Sequence, residues 1–140
     1  MITKVLAYIT RVNDHHTELL VYKHRDYPEA GIQVPAGTVE EGETIEEALY
    51  REVKEESGLM KFSSVNKLRT YVYHHESKSQ YHERHVFHLE VKEETSEQWE
   101  HKVNSEGEDA GLIFSYYWVP IGAVPKLAAN QDDSINQLFL

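Results

Sequence analysis

Cysteine is absent from the 140 residues of the sequence. Disulfide bonds, thiolate zinc sites and cysteine nucleophiles are therefore excluded. No apolar run approaches the ~18 residues that a membrane span needs. The first residues, MITKVLAYIT, lack the long apolar core and small-residue cleavage site of a signal peptide. We therefore expect a cytoplasmic protein with no membrane partner.

Basic residues are scarce. The sequence has 14 Lys and Arg against 24 Asp and Glu, a net charge of -10. A field of this sign repels bare DNA, RNA and anionic membranes, so we expect no DNA partner. A phosphate compound would need either a mediating cation or a local cluster of basic side chains. The length and the lack of repeats or linkers predict a single domain over residues 1–140.

The pattern of apolar residues predicts several strands and one well-defined helix. β-Branched and aromatic residues, alternating with polar ones, indicate strands at residues 2–12, 18–23, 65–74, 81–91 and 112–119, with a short extended piece at 32–34. Residues 26–31 and 35–43 are predicted loops. A capping box from Thr44 to Glu47 begins a helix that runs to about Ser57, with Gly58 as its C′ residue. Residues 132–139 are expected to form a closing helix, and the order of elements favours a mixed sheet.

The helix carries the main chemical signal. At about 100° per residue, Ile45, Leu49 and Val53 form an apolar stripe. Farther along, three carboxylates fall largely on the same face: Glu52, Glu55 and Glu56. Like charges at this spacing repel each other, and a divalent cation removes the conflict. Oxygen ligands without histidine or cysteine favour Mg²⁺, with Mn²⁺ as the alternative. Taken alone, however, such a run is more often a solvated face.

The segment around these glutamates decides between the two interpretations. From Gly37 to Leu59 it reads GTVEEGETIEEALYREVKEESGL. This segment resembles the Nudix box and fills all of its specified positions at the right spacing: Gly37, Glu43, Arg51, Glu52, Val53, Glu55, Glu56, Gly58 and Leu59. The resemblance implies the α/β (α+β) class, as an α/β/α sandwich with a mixed β-sheet in which the box forms a loop–helix–loop.

The resemblance also implies roles for the residues of the box. Glu52, Glu55 and Glu56 match the family's metal ligands, and one of them can serve as the base. A backbone carbonyl near Gly37 often ligates the cation in that family. Arg51 is expected to orient the glutamates, with Glu43 as its partner. The implied reaction is Mg²⁺-dependent attack of water on a phosphorus of a nucleoside diphosphate linked to another moiety X.

Residues outside the box are weaker candidates. Family members often take an additional ligand or base from a later acidic loop, for which Glu106 and Glu108 are the first choice here. Arg25 and Arg84 are candidates for contacts with phosphate, and Tyr73 is a candidate for stacking on a nucleobase. The histidines at 82, 85 and 88 do not share one strand face, so we expect no histidine metal site.

The identity of X is open at this stage. The segment IQVPAG, with its Pro-Ala-Gly, is similar to ADP-ribose and ADP-sugar pyrophosphatases, although those are usually longer. One alternative is an RNA 5′ pyrophosphohydrolase. Another is a nucleotide-sensing Nudix module without catalysis, although such modules usually have eroded boxes. The family's fold is often dimeric, so a homodimer is an open alternative as well.

Overall fold

A mixed seven-stranded sheet forms the frame of the protein. The computed structural model describes residues 1–92 and 94–139. The strands are β1 (Ile2–Asn13), β2 (His16–His24), β3 (Ala36–Thr38), β4 (Ser64–His75), β5 (Gln80–Glu90), β6 (Gln98–Lys102) and β7 (Ile113–Pro120). One α-helix, α1 (Ile45–Ser57), follows β3. Short 3₁₀ turns lie at Pro28–Ala30, Glu76–Lys78 and Ile121–Ala123, and a longer 3₁₀ segment closes the chain at Ala128–Phe139.

The first strand of the chain lies in the middle of the sheet, next to strands from later in the sequence. The main path is β4-β5-β1-β2-β7-β6, and β3 pairs with β1. The β1–β5 pair is parallel and the others are antiparallel, so the predicted mixed sheet is confirmed. β1 pairs with β2 near its end, where Thr10 faces Leu19, and with β3 near its start, where Val5 faces Gly37. The first residues of the box are thereby fixed to the sheet.

Alternating side chains divide the core into two layers. Val5, Ala7 and Ile9 of β1 pack on the face covered by α1, which buries Ala48, Leu49 and Val53 against the sheet. Leu6 and Tyr8 point to the other face, where Leu127, Ile135 and Leu138 of the C-terminal region cover them. The expected sandwich, with helical segments on both faces of a mixed sheet, is confirmed.

Two short strands and the form of the last segment differ from the sequence prediction. β3 lies inside the predicted loop 35–43, and β6 had no predicted counterpart. The predicted closing helix is instead a 3₁₀ segment, kinked where Ala129 and Asn130 have positive φ. The backbone N–H of Ser134 donates to the hydroxyl of Tyr8, at 3.2 Å, so tertiary contact competes with regular helical bonding there. Within residues 1–92 and 94–139, no helix combines the length and apolarity that crossing a membrane requires.

Tyr8 joins the closing segment to the centre of the sheet. Its buried hydroxyl donates to the carbonyl of Gln131 and accepts the N–H of Ser134. Tyr8→Phe should lower the free energy of unfolding by about 1–3 kcal/mol, because two buried backbone groups lose their partner. Denaturant titration measures this loss, with the exposed Tyr50→Phe on α1 as control. Equal stability of the two variants would contradict the role given to Tyr8.

Candidate active site

The helix of the box begins and ends where its sequence requires. The side chain of Thr44 accepts the N–H of Glu47, and the carboxylate of Glu47 accepts the N–H of Thr44, at 3.1 and 3.0 Å. Gly58 ends the helix with φ +83°, a left-handed conformation that favours glycine, and its N–H donates to the carbonyl of Lys54. These two caps fix where α1 begins and ends, and the packing of Ala48, Leu49 and Val53 on the sheet sets its rotation.

Arg51 connects the helix to the loop that precedes it. Its guanidinium donates to both carboxylate oxygens of Glu43, at 2.6 and 2.9 Å, and to the carbonyl of Thr38 at 2.9 Å. It also donates to Glu52 at 2.8 Å and to Glu55 at 3.3 Å. Hydrogen bonds from Arg51 lower the pKa of Glu43, and the carboxylates of Glu43 and Glu52 raise the pKa of Arg51. The arginine therefore stays charged and holds two of the three glutamates in place.

Glu52 lies directly against the backbone of Gly37. A Cβ atom at residue 37 would lie 2.0 Å from the carboxyl carbon of Glu52 and 2.3 Å from each oxygen. Only glycine fits there without displacing the carboxylate. Burial raises the pKa of Glu52, and the nearby charge of Glu55 adds to the effect, although Arg51 opposes it. The negative form of this side chain is thus present at an energetic cost.

Glu56 is the most deeply buried of the three acids, with 4% of its surface exposed. Its carboxylate accepts the backbone N–H of Ala36 at 3.1 Å. Burial, followed by repulsion from Glu52, raises its pKa well above the ordinary value. One hydrogen bond does not satisfy a buried carboxylate. The group therefore needs either a proton or a cation in the adjacent cleft.

Strands β6 and β7 hold the end of α1 through its last carbonyl groups. The carbonyl of Glu55 accepts from His101 Nε2 at 2.9 Å and from the N–H of Asn104 at 3.1 Å. Tyr116 donates to the carbonyl of Glu56 at 2.8 Å, and Trp99 donates to that of Ser57 at 3.2 Å. Helix C-termini leave such carbonyls without intrahelical partners. Trp99 and His101 had no signal in the sequence, because β6 was not predicted, and Tyr116 lies on β7, which was predicted without this contact.

The glutamates open onto a cleft of about 1020 Å³ at one end of the sheet. The acidic residues of the cleft come from the box and from the loop between β6 and β7: Glu40, Glu52, Glu55, Glu56, Glu106, Glu108 and Asp109. Besides Arg51 of the box, its basic residues come from β1 and from the β4–β5 hairpin: Lys4, His75, Lys78, His82 and Arg84. The cleft therefore carries groups suited to a cation and groups suited to an anion.

Most of the residues selected from the sequence line this cleft. Gly37, Arg51, Arg84, Glu106 and Glu108 all do so, together with the three glutamates of the helix. Glu43 lies behind them as the partner of Arg51. Lys4 and Lys78 were missed. Only the alternation of β1 gave a signal for Lys4, since it places this charged side chain on the same face as the buried Leu6 and Tyr8.

Arg25 and Tyr73 lie elsewhere. Arg25 is 44% exposed and pairs with Asp26 and Glu100, each at 3.3 Å. It does not line the cleft. The ring of Tyr73 lies under the guanidinium of Arg84, with 3.7 Å from the guanidinium carbon to the ring centroid. That either residue contacts the substrate stays a prediction. The position of Arg25 does not favour such a contact, and Tyr73 instead packs against Arg84.

The oxygen donors of the cleft fit a divalent cation whose remaining coordination positions are filled by water and substrate. Across residues 1–92 and 94–139, no three His, Asp or Glu side chains stand close enough to form a finished metal site. Arg51 occupies part of the Glu52 and Glu55 carboxylates. Mg²⁺ usually binds through one or two carboxylates, with waters and substrate phosphates in its remaining positions. The buried Glu56 and the partly buried Glu52, which repel each other beside the backbone of Gly37, meet that requirement.

Comparison with known proteins identifies the family and the fold. The model of the NUDIX domain matches residues 3–139. The NUDIX domain of Shewanella oneidensis NrtR, solved in complex with ADP ribose, superposes with a TM-score of 0.72 at 15% identity, over 99% of this chain and 86% of that one. The E. coli dihydroneopterin triphosphate pyrophosphohydrolase gives 0.70 at 22% identity, over 96% and 92%. The C. elegans Ap4A hydrolase gives 0.62 at 18% identity, over 99% and 94%.

At these identities the superpositions show the shared fold alone. No curated protein sequence matches the chain. The family model extends over nearly the whole chain, and the box at its centre is complete. The chain therefore belongs to the NUDIX hydrolase family.

Proposed function

We propose that the protein hydrolyses a pyrophosphate bond in a nucleoside diphosphate linked to another moiety X, with Mg²⁺ as cofactor and Mn²⁺ as the alternative. The observation that carries this proposal is the buried carboxylate of Glu56, which faces the cleft beside Glu52 and Gly37 with one hydrogen bond of its own. A permanently buried, under-satisfied carboxylate is costly, and such costs are typical of functional sites.

Glu52, Glu55 and Glu56 would hold the cation, together with a backbone carbonyl near Gly37. A cation held there would supply Lewis-acid chemistry: it would polarise the pyrophosphate, offset developing charge and activate water. Arg51 keeps Glu52 and Glu55 oriented toward the cleft, and Glu43 keeps Arg51 oriented in turn. The N–H of Ala36 fixes the carboxylate of Glu56. This side-chain network therefore prepares the acids before any ligand arrives.

The loop between β6 and β7 offers further acids for the proton from water. Glu106 and Glu108 are exposed and line the cleft, so each can contact a water molecule that enters it. The base of this loop is fixed by the bonds Val103 N–H to Leu112 carbonyl and Gly111 N–H to Val103 carbonyl. Its acids are thus held near the cleft, while the box glutamates are the competing candidates for the base.

A nucleotide-binding module without hydrolysis is the second candidate function. The likeness to the NrtR domain, which was solved with ADP ribose, favours it. The full set of box acids and the Arg51 network favour catalysis instead, because binding alone does not require three carboxylates that line one cleft. An RNA 5′ end is a third type of substrate, and the net charge of -10 counts against long RNA.

The first test is phosphate or nucleotide release from a panel of nucleotides and nucleotide sugars with Mg²⁺. Glu56→Gln should lower kcat by about 100-fold or more, since it removes a charge that holds the cation or accepts a proton. Glu46→Gln, an exposed acid in the first turn of the same helix, is the matched control and should retain activity.

Two results would separate the alternatives. Turnover of triphosphorylated RNA without turnover of free nucleotides would favour an RNA 5′ pyrophosphohydrolase. If nothing in the panel is hydrolysed but a nucleotide raises the melting temperature, the binding module is correct and the proposed hydrolase is wrong.

The second test concerns stability without metal. The folded-state pKa of Glu56 is raised from 4.5, so its protonated form stabilises the folded protein below pH 4.5. That stabilisation is lost as the pH rises through the folded-state pKa. At neutral pH in a chelator, Glu56→Gln should therefore raise the melting temperature, because the amide keeps the hydrogen bond from Ala36 without a charge.

Thermal unfolding from pH 4 to 8 measures this effect. The difference between Glu56→Gln and the parent protein should grow with pH, and Glu46→Gln should follow the parent. A large loss of melting temperature in Glu56→Gln at neutral pH would mean that the carboxylate serves the fold rather than a cation.

A further inference from the structure

Three cationic side chains of the cleft have no carboxylate partner. Lys4 and Arg84 are direct neighbours across the parallel β1–β5 pair, and Lys78 lies in the turn between β4 and β5. All three line the same cleft as the glutamates of the box. Within residues 1–92 and 94–139, none of the three forms an ion pair, whereas Arg11, Arg25 and Arg51 all do. The basic side of this acidic protein's cleft is thus unneutralised.

Arg84 is the strongest sign of a missing anion. Only 3% of its surface is exposed. It donates to the hydroxyl of Tyr71 at 3.2 Å and stacks on Tyr73, and both of these partners are neutral. In the part of the chain that the structure describes, its buried Nε has no hydrogen-bond acceptor. Burial of an unpaired guanidinium is expensive, so this side chain is poised for an anion that enters the cleft.

Lys4 extends this basic surface toward the box. Its Nζ donates to Thr38 Oγ1 at 2.6 Å, next to Gly37. Burial lowers the pKa of Lys4, and the positive charges of Lys78 and Arg84 lower it further, although the charge of Glu52 opposes them. His82 shows the same influence, since burial and then the charges of Lys4 and Arg84 lower its pKa to about 4. Like charges are therefore crowded here, and an anion would relieve their repulsion as a cation would relieve that of the glutamates.

The amount of positive charge bears on the kind of substrate. A diphosphate between two uncharged groups can be neutralised by the divalent cation at the box alone. Such a diphosphate would leave Lys4, Lys78 and Arg84 without a negatively charged partner. Each further phosphate adds negative charge, and a terminal phosphate carries roughly -1.5 to -2 at pH 7. A longer phosphate chain can contact the cation at the box and the basic side chains at the same time.

We propose that the substrates are small molecules with three or more consecutive phosphates, whose additional phosphates bind Lys4, Lys78 and Arg84. The moiety X is then phosphate-containing rather than an uncharged sugar. This inference rests on the proposed hydrolase function and specifies its substrate class. The IQVPAG segment instead resembles pyrophosphatases of ADP-sugars. That segment lies before the helix of the box, however, and carries no information about the charges on β1 and β5.

Binding of simple anions without metal tests the basic site by itself. In a chelating buffer, calorimetry should show that inorganic tripolyphosphate binds about tenfold more tightly than pyrophosphate, as expected for one more charge-assisted contact. Lys78→Gln and Lys4→Gln should each weaken tripolyphosphate binding by about three- to tenfold. Lys78 is exposed and makes no ion pair among the described residues, so its variant should fold normally. Lys61→Gln, an exposed lysine outside the cleft, is the control.

Hydrolysis with Mg²⁺ completes the test on substrates that share adenosine. We expect ATP or adenosine tetraphosphate to have a higher kcat/KM than ADP-ribose, and Lys78→Gln to reduce that preference. If ADP-ribose is hydrolysed equally well and both lysine variants behave like Lys61→Gln, this inference is wrong and the hydrolase proposal stands.

Two further results have definite meanings. Lysine-dependent binding of tripolyphosphate with no hydrolysis of any substrate would support the anion site and overturn the hydrolase proposal. A preference for triphosphorylated RNA over free triphosphates would overturn the assignment to small molecules.

Discussion

The arrangement of the cleft depends on the hydrogen bonds of one guanidinium. Arg51 joins Glu43 and the Thr38 carbonyl of the entering loop to Glu52 and Glu55 of the helix. Without this positive charge, the acids of the box would repel each other and the loop would lose its attachment to α1. The planar guanidinium can satisfy several oxygens in fixed directions, which an ammonium group cannot do. The backbone of Gly37 approaches Glu52 closely because this network holds both in place.

The parts of the fold that could be predicted are those with local causes. The two caps of α1 and the alternation of the long strands are written in neighbouring residues, and the structure has these elements within a few residues of the predicted bounds. β3 has only three residues and exists because β1 and β2 diverge there, which no local pattern reports. β6 alternates only weakly between exposed and half-buried positions. The last segment follows its contact with Tyr8 rather than its helical periodicity.

The residues of the site likewise divide into those placed by local sequence and those placed by tertiary contacts. The acids of the box lie within one turn-and-helix segment, so their spacing alone placed them together. Arg84 was a candidate from the sequence, but Lys4 and Lys78 were not, because they join it in one cleft only through the parallel β1–β5 pairing and the hairpin before β5. Arg25 was selected for its place after β2, but that strand end faces Asp26 and Glu100 at another edge. Tyr73 was selected as a ring that could stack on a nucleobase, whereas in the structure it stacks under Arg84.

The carbonyl of Glu55 has a mechanical consequence, because two donors share it. His101 belongs to β6, and Asn104 begins the acidic loop that follows. The end of the helix and the root of that loop are thus coupled at a single oxygen atom, and neither can shift without the other. Any rearrangement of the loop around a ligand is confined to its tip, at residues 105–110. The helix and the root of the loop therefore keep a fixed spacing, while the loop acids Glu106, Glu108 and Asp109 lie in the tip.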